Sequence, residues 1–210
     1  MTKNSVSNII EMKAKNMTKK ETIWREILFQ ASENKKINFT QKELAQKFGF
    51  SLSTVFNSLK TLRQSNAIEV SGRGFEVQDI EKFILLWASF RNLKKDIIYQ
   101  TFCSKSVREI ESEMPPKIIF AGYSAFLKKY QTAPADYDKV YVYADLKVLE
   151  ELRQRFPSRK GNFNLIVLKA DKWLCDFGFT TPNCQTFVDL WNLPEWYAKD
   201  FLKELKDKMF

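Results

Sequence analysis

The sequence predicts an α+β protein in which helices dominate, and three observations lead to this class. Six Gly and six Pro are too few for the many turns of a β-sandwich. Apolar residues recur at helical spacing in several segments, and short β-branched runs lie between those segments. Aromatic residues make up 14% of the chain, which supplies material for a sizeable core. At about 150 residues a domain, the 210 residues allow one large domain or two small ones.

The composition restricts the chemistry. A formal net charge of +9 favours an anionic partner, either nucleic acid or a membrane surface. The chain has no His, which excludes Ser-His-Asp and Cys-His catalysis and every His-bearing metal site. Three widely spaced cysteines indicate reduced thiols in an intracellular protein. No secretory signal and no apolar run near the roughly 20 residues of a membrane helix is seen. We therefore expect a cytoplasmic protein with no membrane partner, no cofactor and no metal.

The hydrophobic pattern divides the chain into three segments. Residues 1–18 are polar and Lys-rich, which predicts a flexible basic arm. Residues 19–79 carry helical patterns followed by a hairpin, and residues 80–210 alternate helical and β-branched patterns. We expect a domain boundary between residues 79 and 80.

The second segment begins with two helices joined by a short strand. Apolar residues at helical spacing predict the first helix over 19–34, and residues 37–39 alternate as a strand. Thr40 and Glu43 have the spacing of a capping box, in which each side chain bonds the other residue's backbone N–H. A second helix therefore begins at Gln41, and Gly49 ends it as a left-handed C′ residue.

A third helix and a hairpin complete this segment. Ser51 is its N-cap candidate, the helix runs over 52–65, and Asn66 ends it because Asn tolerates the left-handed conformation. Residues 67–70 and 75–77 then read as two strands around a Ser-Gly-Arg-Gly turn.

This order of elements resembles that of winged helix-turn-helix domains over residues 41–77. The matching features are Leu44-Ala45, the turn at Gly49, and Ser53-Thr54-Val55 followed by Leu59 and Leu62. The sequence departs from the family at Asn66, where a Gly usually precedes the wing. The resemblance implies an N-terminal winged helix-turn-helix DNA-binding domain in residues 19–79.

The third helix is the candidate reading helix. With Val55, Leu59 and Leu62 inward, polar side chains and one aromatic ring project outward. An α-helix fits the major groove, where Asn57 could bond adenine through two hydrogen bonds and Ser or Thr could serve several bases. Phe56 could touch a thymine methyl or pack on a neighbouring protein element.

Other residues are candidates for backbone contacts. Gln41 and Ser51 stand at helix N-termini, which favour phosphate. Arg73 lies between two glycines at the hairpin tip and suits a narrow minor groove. A solvated polar surface is the alternative interpretation for the whole set. The candidate DNA-binding residues are Gln41, Ser51, Ser53, Thr54, Phe56, Asn57, Lys60, Arg63 and Arg73.

Residues 80–210 predict a small α/β domain with a mixed sheet and C-terminal helices. Apolar, β-branched runs at 118–121, 140–143 and 165–168 alternate with helical patterns. Two helices separated by Pro194 close the chain.

Four short motifs of this half resemble the C-terminal domain of AbiEi-type antitoxins, which are regulators of type IV toxin-antitoxin systems. They are EKFILLWA at 81–88, FAGYSA at 120–125, KVYVY at 139–143 and QTFVDL at 185–190. The resemblance implies an autorepressing antitoxin whose second domain neutralises a nucleotidyltransferase-like toxin. The partners it implies are double-stranded operator DNA and that toxin. A second copy of the chain, in a homodimer, is a further candidate partner.

Two other functions stay open at this point. Gly122-Tyr123-Ser124 followed by Asp136 and Asp138 is similar to the Gly-Ser turn and paired carboxylates of nucleotidyltransferases. However, Tyr123 separates the Gly from the Ser, and both acids precede a strand, so we expect no enzyme activity. The second alternative is a regulator with a small-molecule pocket in the second domain.

Overall fold

A computed structural model describes residues 17–72 and 74–210. Most of the arm predicted over residues 1–18, and Arg73, lie outside these residues. Met17 is buried, and Thr18 forms a capping box with Glu21 at the start of the first helix. The end of the predicted arm is therefore part of the folded structure.

The first half contains the predicted elements in the predicted order. The helices are α1 (Lys19–Glu33), α2 (Gln41–Phe48), α3 (Leu52–Ser58) and α4 (Lys60–Gln64), and the strands are β1 (Asn38–Phe39), β2 (Ile68–Ser71) and β3 (Gly74–Val77). The strands form an antiparallel sheet in the order β1-β3-β2. Ser51 caps α3 by accepting from the N–H of Thr54, and Gly49 and Asn66 adopt left-handed conformations with φ of 66° and 56°. These three local predictions are confirmed.

Two details of this half differ from the prediction. The helix expected over 52–65 is interrupted at Leu59, because the carbonyl of Ser58 accepts a hydrogen bond from the indole N–H of Trp24 at 2.8 Å. The capping box expected at Thr40 is half formed. The Thr40 hydroxyl accepts from the N–H of Glu43, but the Glu43 carboxylate binds Lys36 at 2.9 Å.

The second half is built on a mixed four-stranded sheet, as predicted. Its strands are β4 (Ile97–Thr101), β5 (Ile119–Ala121), β6 (Val140–Ala144) and β7 (Leu165–Lys169), and its helices are α5 (Ile80–Phe90), α6 (Val107–Ser112), α7 (Gly122–Tyr130), α8 (Leu146–Arg155), α9 (Asn183–Trp191) and α10 (Ala198–Met209). Short 3-10 helices span Leu93–Asp96 and Leu174–Phe177. The strand order is β4-β7-β6-β5, with β6 and β7 parallel and the outer pairs antiparallel.

The side chains of the sheet alternate between two faces. Val142 and Val167 point to one face and pack with α6 and α8, whereas Tyr143 and Leu168 point to the other face and join the larger core. That core also contains buried residues of α7, α9 and α10 and of the first half. The sheet is thus covered on both faces.

One buried cluster crosses the boundary expected between residues 79 and 80. Trp24 of α1 and Phe83 of α5 meet edge to face, with ring centroids 5.5 Å apart, and α1 also packs against α9. The division into two domains stays a prediction, and the two halves share a continuous core. The orientation of the first half is consequently fixed by the second. Among the described residues no helix is long and apolar enough to span a membrane.

Candidate nucleic-acid interface

Buried contacts determine which face of α3 is exposed. Val55, Leu59 and Leu62 are completely buried, and the Trp24 indole holds the end of α3 through the Ser58 carbonyl. Side chains about half a turn away on the same helix must therefore face solvent. The structure places Ser53, Phe56, Asn57 and Lys60 on that exposed side, as the sequence predicts.

Three of these side chains are uncommitted. Within residues 17–72 and 74–210, the side chains of Ser53, Asn57 and Lys60 make no hydrogen bond or ion pair with the rest of the protein. A hydroxyl and an amide on α3 and an ammonium group at the start of α4 supply donors and acceptors for base edges and phosphates. The polar groups of this row are therefore free to bind a ligand from solvent.

Phe56 and Arg63 form a pair on the same surface. The guanidinium carbon of Arg63 lies 4.1 Å from the Phe56 ring centroid, and its Nη2 donates to the Phe56 carbonyl at 3.2 Å. The ring remains 49% exposed. Two contacts were expected for Phe56, a thymine methyl or a neighbouring protein element. The structure shows the second in part, because Arg63 packs on the ring. To bind a phosphate, Arg63 must either do so while it lies over the Phe56 ring or give up this contact.

The other candidates are more engaged with the protein. The hydroxyls of Ser51 and Thr54 lie 2.9 Å apart, and the Ser51 hydroxyl also caps the helix, so these side chains serve α3 itself. Gln41 is the first residue of α2 and is half-buried. Lys47, another cation of this region, binds the buried carboxylate of Glu26 at 2.5 Å, which neutralises its charge.

The hairpin formed by β2 and β3 carries acids along its side. Glu69 and Glu76 stand directly opposite each other in the register, and Glu76 also pairs with Asn38. Such a like-charge pair repels phosphate. The side of the hairpin is therefore unfavourable for a phosphate. At its tip Gly72 has a φ of 51°, and the candidate Arg73 lies outside the described residues.

The motif that is similar to a nucleotidyltransferase does not form a carboxylate cluster. Asp136 and Asp138 are exposed in the loop before β6, and Asp138 accepts a hydrogen bond from the Tyr197 hydroxyl at 2.5 Å. Gly122 opens α7 with a φ of 51°, and Ser124 is buried. In the part of the chain that the structure describes, no three Asp, Glu or Cys residues come together in a way that could hold a metal ion.

Sequence reasoning missed a buried charged network behind the interface. Arg91, at the end of α5, binds Glu21 of α1 at 3.0 Å, Asp96 at 2.7 Å and Asp189 of α9 at 3.4 Å. Arg91 also donates to the Tyr143 hydroxyl, which in turn donates to Asp189. This arrangement, which we call the Arg91 network, connects the first half with the sheet and α9. A charged residue within an apolar helical pattern, such as Glu21, is the one sequence signal that could have indicated it.

The pKa values of the three acids in this network are shifted in different directions. Burial raises the pKa of Asp96 and of Asp189 to about 6, even though Arg91 opposes the change. Burial also disfavours the ionised form of Glu21. There, however, Arg91 and the hydrogen bonds from Thr18 outweigh burial and hold the pKa below its ordinary value. Three carboxylates share one guanidinium, so the network holds more negative than positive charge when all are ionised.

A second buried ion pair joins the same two halves. Arg25 of α1 binds Asp171 through two hydrogen bonds of 2.7 and 2.8 Å and also donates to Gln185 of α9. Planar, two-pronged pairs of this kind fix geometry as well as charge. Together with the Arg91 network, this pair holds α1 in a fixed position against the second half.

A tight turn between two short helices, an exposed polar face on the second of them and an adjacent hairpin have the arrangement of a helix-turn-helix DNA-binding domain. Residues 22–85 match the family model of the Crp-like helix-turn-helix domain. The match covers α1 to the middle of α5 and therefore includes the exposed face of α3. No curated protein and no solved structure matches the chain.

Proposed function

We propose that this protein is a sequence-specific repressor of the winged helix-turn-helix type that reads DNA with α3 in the major groove. The observation that carries the proposal is the exposed row of Ser53 and Asn57 on α3 and Lys60 at the start of α4, whose side chains make no hydrogen bond or ion pair within the described residues and lie opposite a buried face. The hairpin of β2 and β3 is the wing, and its tip lies at the minor groove. The second half has a positioning role and no catalytic one.

The more specific form of the proposal is an autorepressing antitoxin. It rests on the resemblance of residues 81–88, 120–125, 139–143 and 185–190 to AbiEi-type antitoxins. In this form the chain binds the operator of its own operon, and its second half neutralises a nucleotidyltransferase-like toxin. Footprinting on the DNA upstream of the gene tests operator binding, and co-expression with a nucleotidyltransferase encoded beside it tests neutralisation. A homodimer would give two half-sites about 34–36 Å apart.

Asn57→Ala is expected to lower discrimination at one base position by about 1–3 kcal/mol. The reason is that the exposed Asn57 amide can make two hydrogen bonds to an adenine edge, which Ala cannot replace. Competition binding with every single-base variant of the footprinted site measures this loss. Asn92→Ala, which removes an exposed amide on the second half, is the matched control and should leave the preference unchanged. An Asn57→Ala protein with the wild-type preference would remove Asn57 from the reading surface.

Lys60→Ala is expected to weaken binding to all sequences alike and to reduce the salt dependence. Each phosphate neutralised contributes about 0.9 to the slope of log affinity against log salt, and among the described residues Lys60 has no carboxylate partner that would neutralise it first. The measurement is the affinity for operator and for unrelated DNA at salt concentrations from about 50 to about 200 mM. Lys199→Ala on α10 is the control and should keep the wild-type slope. An unchanged slope in Lys60→Ala contradicts a phosphate contact at this position.

A further inference from the structure

A half-open cleft of about 400 Å³ lies on the sheet face that carries the larger core. Its floor is formed by Ile97 of β4 and by Ile166 and Leu168 of β7. The turn from Asn192 to Glu195, between α9 and α10, forms one wall, and residues 161–163 form another. The volume is within the range of small-molecule sites, about 300–1,000 Å³.

The acid at the cleft is already neutralised. Glu195 binds Lys139 at 2.8 Å and accepts hydrogen bonds from the hydroxyls of Tyr123 and Tyr141. With three donors on its two oxygens, this buried carboxylate has little capacity left to attract a cation. A cationic ligand is therefore disfavoured here.

The uncommitted polar groups of the cleft favour an anion. Lys94 is exposed at the rim and Gln100 is half-buried on β4, and within the described chain neither side chain has a hydrogen-bond or ion-pair partner. An ammonium group and an amide N–H beside an apolar floor suit a single carboxylate attached to an apolar body. The rest of the lining, including Leu93 and Leu193, would cover that body.

The cleft is also connected to the first half of the chain, through α5 and the Arg91 network. Asn192 in its wall donates hydrogen bonds to the carbonyls of Ala88 on α5 and Val188 on α9, at 3.1 and 2.9 Å. Leu93 in its lining is two residues from Arg91, whose network reaches Glu21 of α1. A ligand that shifts this junction changes the support of α1, against which α3 is packed through Trp24.

We propose that this cleft binds an apolar monocarboxylic acid, with its carboxylate at Lys94 and Gln100, and that occupancy changes the affinity of the protein for its operator. The effector part of this proposal rests on the DNA-binding function proposed above, whereas the binding site stands on the cleft alone. The chemistry admits an aliphatic chain or an aromatic ring as the apolar body.

Calorimetric titration of the full chain with octanoate and with 3-phenylpropanoate tests the site. We expect one molecule bound per chain, and octan-1-ol, which lacks the charge, should bind at least tenfold more weakly. Lys94→Ala should weaken carboxylate binding at least tenfold. Lys95→Ala, which changes the neighbouring exposed lysine outside the cleft, should not. The better of the two acids identifies the body that the cleft prefers.

Three results would overturn the site. They are no binding of either acid at 1 mM (roughly the weak end of specific affinity), equal binding of acid and alcohol, or equal losses in Lys94→Ala and Lys95→Ala. Because both lysines are exposed, the variants should fold normally, and circular dichroism checks this.

The effector part is tested by repeating the operator titration with the bound acid at saturation. A change in operator affinity of at least threefold, absent in Lys94→Ala, supports it. Carboxylate binding with an unchanged operator affinity overturns the effector role while leaving the site. If the protein bound no DNA at any salt concentration, the repressor proposal and the effector role would both fail, and the calorimetric result would still decide the site.

Discussion

Arg91→Met is expected to lower the free energy of unfolding by about 3–5 kcal/mol, the largest effect of any substitution considered for this protein. The Arg91 side chain is 1% exposed and is surrounded by Glu21, Asp96 and Asp189. Met fills a similar volume but leaves three carboxylates buried without their cation. Breaking a buried ion pair on one side is costly because the remaining charge has neither water nor a partner.

Urea unfolding at pH 7, followed by circular dichroism, measures this effect. Arg155→Met is the matched control, because Arg155 forms an exposed pair with Glu151 that should contribute no more than about 1 kcal/mol. Adding Asp189→Asn to Arg91→Met should recover part of the loss, since it removes one of the uncompensated charges. Equal, small losses in Arg91→Met and Arg155→Met would show that the Arg91 network is not formed as described.

The Arg91 network should also matter for DNA binding. It attaches α1 to the second half through Glu21, and the carbonyl of Ser58 at the end of α3 is bound by Trp24 of α1. A loosened α1 leaves the exposed face of α3 chemically intact but less well oriented. The network is thus one of the physical links between the two halves of the chain, beside the Arg25–Asp171 pair and the shared core.

The elements of the first half could be predicted from sequence because their signals are local. The cap at Ser51 bonds a residue three positions ahead, and Gly49 and Asn66 end their helices by their own backbone conformations. The exposed side of α3 follows from helical periodicity alone. Periodicity therefore predicts that Asn57 and Lys60 are exposed, and the structure confirms this.

What could not be predicted depends on partners far away in sequence. The break at Leu59 is caused by Trp24, which lies 34 positions from Ser58, and the Arg25–Asp171 pair spans 146 positions. Local sequence signals also overstate how many cations are free to bind DNA. Arg63, a cation expected to contact DNA, lies over Phe56, and the nearby Lys47 binds Glu26.

The unfolding free energy is expected to rise as the pH falls from 7 to 5, because of two acids of the Arg91 network. Burial raises the pKa of Asp96 and Asp189 to about 6, above the value of about 3.8 for the unfolded chain. Between these two pH values the folded protein holds more protons than the unfolded one, so protonation stabilises the fold. Ionising the two buried acids lowers the unfolding free energy. This loss is zero below about pH 4 and reaches its full size above about pH 6 to 7.

The unfolding free energy is expected to rise by about 1 kcal/mol for each acid between pH 7 and pH 5. Over the whole pH range the change is about 3 kcal/mol for each acid. Glu21 acts in the opposite direction. Its pKa is lowered, so its stabilising contribution is lost only as the pH falls below the ordinary range of a Glu, under this window. Urea unfolding at pH 7, 6 and 5 therefore isolates the two raised acids.

Asp96→Asn decides whether these residues are the cause. The variant keeps an oxygen for Arg91 but cannot ionise, so it should show about half of the wild-type rise between pH 7 and pH 5. Asp200→Asn, on the exposed side of α10, should keep the full rise. If both variants followed the wild type, the pH dependence would arise outside the network. If stability fell between pH 7 and pH 5 in all three proteins, Arg91 would hold Asp96 and Asp189 ionised throughout, and burial would be the weaker of the two opposing effects.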